Sequence, residues 1–239
     1  MEMDARVFPD LDALSRGLLD ELLRVVRQAI SERGGFSIAL SGGKTPAELY
    51  KLWAAARGGT DWKKVHLFWG DERYVAQSND LSNFRMTRET GLLDVVPAGN
   101  VHPMRGPDFF PSPEAAAEAY EGELRKFFGS GAPAFDVQLL GLGVEGHVAS
   151  LFPGSPALTE RQRWVLPAVA PAKPPQRLTL TPVVLNCGRH TFFLVAGANK
   201  REIVTALRAE PEGKPSQFPA GQLRPQGRSV WFLDQAADG

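Results

Sequence analysis

Between Asp10 and Arg33, Leu11, Leu14, Leu18, Leu22, Val25, Ala29 and Ile30 recur every three or four positions, which predicts an amphipathic helix. Gly34 and Gly35 end it, and Phe36-Ser-Ile-Ala-Leu40 then reads as a strand. Strands are also predicted at Val65–Trp69, Phe135–Leu140, Thr191–Ala196 and Ser229–Leu233. Helices are expected from Thr45 (N-cap) and Pro46 (first helical position) to about Ala56, from Ser82 to Leu93, from Ser112-Pro113 to Phe128 and from Lys200 to Ala209. A Pro-rich loop, Pro167 to Pro175, precedes Arg177–Pro182. This alternation predicts an α/β fold with a mostly parallel sheet covered by helices on both faces. No repeat, low-complexity segment or long linker divides the chain, so a single domain over residues 1–239 is expected.

In open α/β sheets, ligands bind beyond the carboxyl ends of the strands. Three predicted strands run into Gly-rich or charged loops: Ser41-Gly-Gly-Lys44, Gly70-Asp-Glu-Arg73 and Gly141 to His147. Their shared position is the main pointer to a site.

Composition narrows what that site can be. The 239 residues are 43% hydrophobic and 23% charged, and 27 basic residues balance 27 acidic ones. A chain with no net charge has no general attraction to nucleic acid or to an anionic membrane, so any anion must be held locally. Cys187 is the sole cysteine, which excludes an internal disulfide and a Cys-based metal cluster; it reads as a small buried hydrophobe. The N-terminal segment carries acids and no apolar h-region, and no stretch approaches the ~18 apolar residues of a membrane span. A cytoplasmic protein with a small-molecule partner, and neither nucleic acid nor membrane, is expected; the number of subunits is left open.

Several motifs imitate other chemistries. Gly42-Gly-Lys-Thr45 resembles the end of an NTPase phosphate loop, but Ile38 stands where that loop needs its first glycine. Gly141-Leu-Gly-Val-Glu-Gly146 satisfies G-x-G-x-x-G, yet Pro153-Gly154 interrupts the helix a dinucleotide site would require. There is no G-x-S-x-G elbow, and Ser150 reads as a turn hydroxyl rather than a nucleophile. His66, His102, His147 and His190 show no metal-ligand spacing, and His66 reads as a core histidine.

What remains is chemistry suited to an anion and a base. Ser41-Gly42-Gly43 precedes a helix N-terminus, where unpaired N–H groups favour an anion and glycines permit close approach. Asp71, Glu72 and Arg73 bring two carboxylates and a guanidinium to one loop. His147 follows Glu145 by two residues, and a carboxylate beside an imidazole can fix its tautomer for general base work.

Ser41-Gly-Gly-Lys-Thr-Pro46, Gly70-Asp-Glu-Arg73, Ser78-Asn79 and above all Gly141-Leu-Gly-Val-Glu-Gly-His-Val-Ala-Ser-Leu-Phe-Pro-Gly154 together resemble the 6-phosphogluconolactonases. Arg177-Leu-Thr-Leu-Thr181 and Gly197-Ala-Asn-Lys200 also fall where that family has them, so the resemblance spans about residues 10 to 235. It implies a modified Rossmann-like sheet shared with glucosamine-6-phosphate deaminases and ribose-5-phosphate isomerases. It also implies hydrolysis of 6-phospho-D-glucono-1,5-lactone to 6-phosphogluconate, in the oxidative pentose phosphate pathway. Leu151-Phe-Pro153 stands where the deaminases carry Asn-Glu-Pro, which favours the lactonase. The family usually has Asp at the position of Glu145, and often Ser at that of Lys44.

By this resemblance Ser41, Gly42 and Gly43, with Arg177 and Lys200, hold the phosphate, and Lys44 either touches it or faces solvent. His147 activates a water, Glu145 or Asp71 orients and polarises the imidazole, and Arg73 with backbone N–H groups stabilises the oxyanion. Neither metal nor cofactor is implied. A deaminase or isomerase of the same superfamily and a non-catalytic sugar-phosphate sensor are the alternative readings.

Overall fold

The computed structural model describes residues 3–56, 58–211 and 214–238; Met1, Glu2 and Gly239, the ends of the domain expected over 1–239, lie outside the described residues. In chain order the strands and helices are β1 (Ala5–Phe8), α1 (Leu11–Arg33), β2 (Phe36–Leu40), α2 (Lys44–Ala55), β3 (Val65–Trp69), β4 (Asp71–Arg73), α3 (Asn83–Glu89), α4 (Leu92–Val95), β5 (Val101–His102) and α5 (Pro113–Phe128). They continue with β6 (Val137–Gly141), β7 (Val165–Val169), β8 (Gln176–Leu180), α6 (Pro182–Leu185), β9 (His190–Val195), α7 (Arg201–Arg208), α8 (Pro219–Gln222), β10 (Arg228–Asp234) and α9 (Gln235–Asp238).

Seven strands form one sheet in the order β1-β10-β9-β6-β2-β3-β5, every neighbouring pair parallel. Helices flank it, as the alternation predicts. Central β2 is buried at every position, which is why its sequence is apolar apart from Ser37, whose N–H and hydroxyl donate to Asp136, rather than alternating. Trp53, Phe36, Phe68, Phe135, Phe192 and Phe232 are among the fully buried side chains of the core.

The capping chemistry of the helices follows the sequence closely at two ends. Asp10 accepts from the Ala13 N–H at the start of α1, and Ser112 accepts from Ala115 at the start of α5. Gly34, at φ 79°, closes α1 in the left-handed conformation. Three expectations need correction. Helix α2 begins at Lys44, not after a Thr45 cap: Gly43, at φ 106°, turns the chain into the helix and no side chain caps it. The helix expected over 82–93 is two, α3 and α4, because Gly91 at φ 81° stands between them. Pro167 lies in a strand, not a loop: β7 is an edge of its sheet, where a residue without an N–H is tolerated.

A second, antiparallel sheet in the order β4-β8-β7 was not legible from periodicity. The chain leaves β3 at Trp69, passes Gly70 and enters β4, so Asp71-Glu-Arg73 is a short strand rather than a loop. It pairs Asp71 with Thr179 and Arg73 with Arg177. Directly opposed residues share a face, so Asp71, Arg73, Arg177 and Thr179 point to one side and Glu72 to the other.

Candidate active site

Beyond the carboxyl ends of the central strands lies a cleft of about 290 Å³. The loop after β2 contributes Ser41, Gly42 and Gly43, β4 contributes Asp71 and Arg73, and α3 contributes Asn83. Gly141, Leu142, Gly143, His147 and Ala149 come from the segment after β6, and Lys200 from the turn before α7. The three loops singled out in the sequence therefore do meet at one sheet edge.

Each wall has a physical reason for its shape. The backbone of Ser41 is gripped by the buried Tyr50, whose hydroxyl accepts from the Ser41 N–H at 2.9 Å and donates to the Ser41 carbonyl at 2.8 Å. The absence of a side-chain cap on α2 leaves the first N–H groups of the helix unclaimed beside Gly43, where an anion can take them. A Cβ on Gly42 would fall 1.9 Å from Asn83 Oδ1, so only glycine lets these two elements approach. Lys44 is exposed and does not line the cleft.

On β4, the cleft-facing Asp71 is held on two sides. Ser150 donates its hydroxyl to Asp71 Oδ2 at 2.7 Å, and the Asn83 amide nitrogen donates to the Asp71 carbonyl oxygen at 2.9 Å. Ser150 is itself buried, which suits this holding role and not attack on a substrate. Glu72, on the opposite face, accepts from the N–H groups of Arg73, Asn83 and Phe84 and from the Ser82 hydroxyl. Burial pushes its carboxyl up to about 7, against the pull of those backbone donors.

The segment after β6 folds back on itself: the Gly143 N–H donates to the His147 carbonyl at 2.9 Å. His147 Nδ1 lies 3.2 Å from Glu145 Oε1, close enough for an ion pair but not aligned as a hydrogen bond. The imidazole packs against Phe152, with ring centroids 4.4 Å apart. A Cβ on Gly143 would sit 2.0 Å from His147 Nδ1 and 2.8 Å from Glu145 Oε2, so the bare glycine is what admits the pair. Ala149, with φ 49°, is the sole non-glycine residue at positive φ among the described residues, and it lines the cleft. Such strain gathers at functional sites. Asp71 makes no contact of this kind with His147; its oxygens are engaged by Ser150 and Asn83.

Two cations, Arg73 and Lys200, line the cleft; Arg177 stands opposite Arg73 on β8 without lining it, and Glu145 lines a neighbouring cavity. Arg73 donates to the Leu81 carbonyl, and Arg177, across the ladder on β8, is buried with its Nε unpartnered. Burial and the neighbouring Arg73 lower the Arg177 pKa, partly offset by Asp71 and Glu72. Burial lowers that of Lys200, and Glu145 opposes the shift. Among the described residues none of the three forms an ion pair.

Asn83 escaped the sequence reading, although Ser82-Asn83 repeats the Ser-Asn pair that the reading placed at 78–79. Ser78 and Asn79 instead shape the loop: the Ser78 carbonyl accepts from Arg85 and Asn79 Oδ1 from the Leu81 N–H. Cys187 is half-buried, its thiol donating to the Val183 carbonyl, with burial pushing its pKa up.

The family model described as glucosamine-6-phosphate isomerases/6-phosphogluconolactonase matches residues 9–231. A 6-phosphogluconolactonase of Synechocystis sp. is 46% identical over 228 residues, covering 94% of this chain and 92% of the relative. One of Mycobacterium tuberculosis is 38% identical, covering 99% and 98%. The solved 6-phosphogluconolactonase from Trypanosoma cruzi superposes with a TM-score of 0.87 at 28% identity, over 99% of this chain and 96% of that one. A solved monomeric glucosamine-6-phosphate deaminase, at 21% identity and a TM-score of 0.78, shares the fold. With a match over nearly the whole length, the chain belongs to the glucosamine-6-phosphate isomerase/6-phosphogluconolactonase family.

Proposed function

We propose that this protein hydrolyses 6-phospho-D-glucono-1,5-lactone to 6-phospho-D-gluconate, with residues 1–239 acting as a single lactonase domain. The observation that carries the reading is a cleft lined by Arg73, Lys200, His147 and the loop before an uncapped helix N-terminus, with Arg177 opposite Arg73 on the neighbouring strand and Glu145 facing the imidazole; among the described residues none of the three cations forms an ion pair. Relatives named 6-phosphogluconolactonase over almost the full chain support the same substrate. The deaminase reading rests on the joint description of the family and on a solved structure at 21% identity that shares the fold. No described helix is long and apolar enough to cross a membrane, and a phosphorylated sugar substrate fits a cytosolic place of work.

The phosphate dianion is taken by the N–H groups of Gly42 and Gly43 and the Ser41 hydroxyl, by Lys200 as a point charge and by the fork of Arg177. Lys44, exposed outside the cleft, has no direct part. Glu145 faces His147 Nδ1, which leaves Nε2 to take a proton from water. The new hydroxyl oxygen bonds to the lactone carbonyl carbon, and Arg73 with backbone N–H groups stabilises the oxyanion. As the bond to the ring oxygen breaks, the imidazolium returns its proton to that oxygen, giving the open-chain acid. Asp71, fixed by Ser150 and Asn83, is placed to hold substrate rather than to orient the imidazole.

The test compares 6-phosphogluconolactone with unphosphorylated gluconolactone. Charge-assisted hydrogen bonds contribute about 1.5–3 kcal/mol each, so two or three of them imply a preference of at least ~10² in kcat/KM for the phosphorylated lactone. Equal specificity constants would remove the phosphate site.

A further inference from the structure

The loop bearing His147 is braced from behind by a segment that does not line the cleft. The Ala220 N–H donates to the Gly146 carbonyl at 2.9 Å, fixing the peptide that leads into His147. Gly146 has φ 82°, and a Cβ there would lie 2.8 Å from Phe218 Cβ and 2.9 Å from its Cδ1. Phe218 therefore rests directly on the residue before the imidazole.

The brace is itself anchored. Ser216 is buried and donates its hydroxyl to Glu210 Oε1 at 2.7 Å, and the Gln217 N–H donates to the same oxygen at 3.1 Å. The Gln222 amide closes the turn on the Ser216 carbonyl at 3.1 Å. Glu210 lies just beyond α7, the helix that starts one residue after Lys200. Glu210 thus ties the support of the base to the end of the helix that begins beside the cation in the cleft.

Resting on the reading of His147 as the base, we infer that Phe218 is a positioning residue: it touches neither substrate nor reacting atoms, and it acts by holding Gly146 and so the imidazole. Removing the ring leaves Gly146 unsupported on one side, while the phosphate loop, Arg177 and Lys200 keep their places. The loss should fall on kcat, because misplacing a catalytic group by about 1 Å costs up to ~10²-fold.

The experiment measures steady-state kinetics of Phe218→Ala and Phe218→Leu with 6-phosphogluconolactone, together with the ring C–H resonances of the four histidines at one fixed pH. The expected result is a kcat lowered about 10- to 100-fold in Phe218→Ala and less in Phe218→Leu, with KM within about 2-fold. His147 resonances should move or broaden while those of His66, His102 and His190 stay. If Phe218→Ala fails to fold, Phe218→Leu must still show the graded loss of kcat and the selective His147 change. An unchanged kcat, an unmoved His147 signal, or shifts spread over all four histidines would overturn the inference. His147→Ala, measured beside them, separates the two claims: near-wild-type kcat there sinks the base assignment, whatever Phe218 does to the ring.

Discussion

Gly143 illustrates how the site depends on an atom that is not there. Its backbone does not take a positive φ, so alanine would meet no backbone strain; the conflict is with the imidazole, 2.0 Å from the added carbon, and with the Glu145 carboxylate at 2.8 Å. Gly143→Ala should therefore lower kcat on the order of 10²-fold while leaving the melting temperature within a few degrees, as measured by steady-state kinetics beside thermal unfolding. Unchanged kcat would mean that His147 does not work from this position. The same logic runs through Gly42, where the missing side chain is occupied by Asn83. Gly42, expected from the sequence to let an anion approach closely, and Gly143 are here seats for side chains of the candidate site. Sequence shows that a glycine is present but not which side chain fills the space beside it, so Asn83 and Ser150 were not legible as partners of Asp71.

At the scale of elements, the long segments followed from periodicity and capping. α1 carries its apolar stripe over 23 residues, and β2 and β3 are apolar but for Ser37 and His66, so both signals were strong. β4 has three residues, all charged, and its order comes from pairing with β8, more than a hundred positions away. No local pattern can announce a strand of that kind. Yet it is this strand that sorts the chemistry: alternation turns Asp71 and Arg73 to the cleft and Glu72 to the first turn of α3. The resemblance to a family supplied the residues of the site, and the second sheet supplies the reason they converge. β1 and β5 were also missed, both short edge strands completed by their neighbours.

Across the whole molecule, Glu21 ties distant parts of the chain together. It is buried on α1 and receives Arg24 at 2.7 Å, Arg228 from β10 at 2.7 Å and Arg6 from β1 at 3.2 Å. Burial alone would raise its pKa, but the hydrogen bonds and charges of Arg24, Arg6 and Arg228 outweigh it and hold the carboxyl down to about 2. Because the folded value lies below the unfolded one, the clasp stabilises fully above about pH 4.5 and is lost as pH falls towards about 2. With the arginines partly exposed and screened, Glu21→Gln should cost about 2 kcal/mol in urea unfolding at pH 7, and the difference from wild type should shrink at pH 3. A difference independent of pH would show that packing, not charge, is what the residue contributes.

The central claim is that the cleft opens a phosphorylated lactone with His147 as base. It is met most directly by generating 6-phosphogluconolactone in situ and following its disappearance with wild-type protein, with His147→Ala and with buffer alone. General base catalysis is typically worth about 10²–10⁴-fold. After the spontaneous rate is subtracted, the wild-type protein should remove the lactone in proportion to its concentration, and His147→Ala should retain between about one hundredth and one ten-thousandth of that rate while still folding. Lactone loss at the buffer rate with wild-type protein, or an undiminished rate with His147→Ala, would contradict the account.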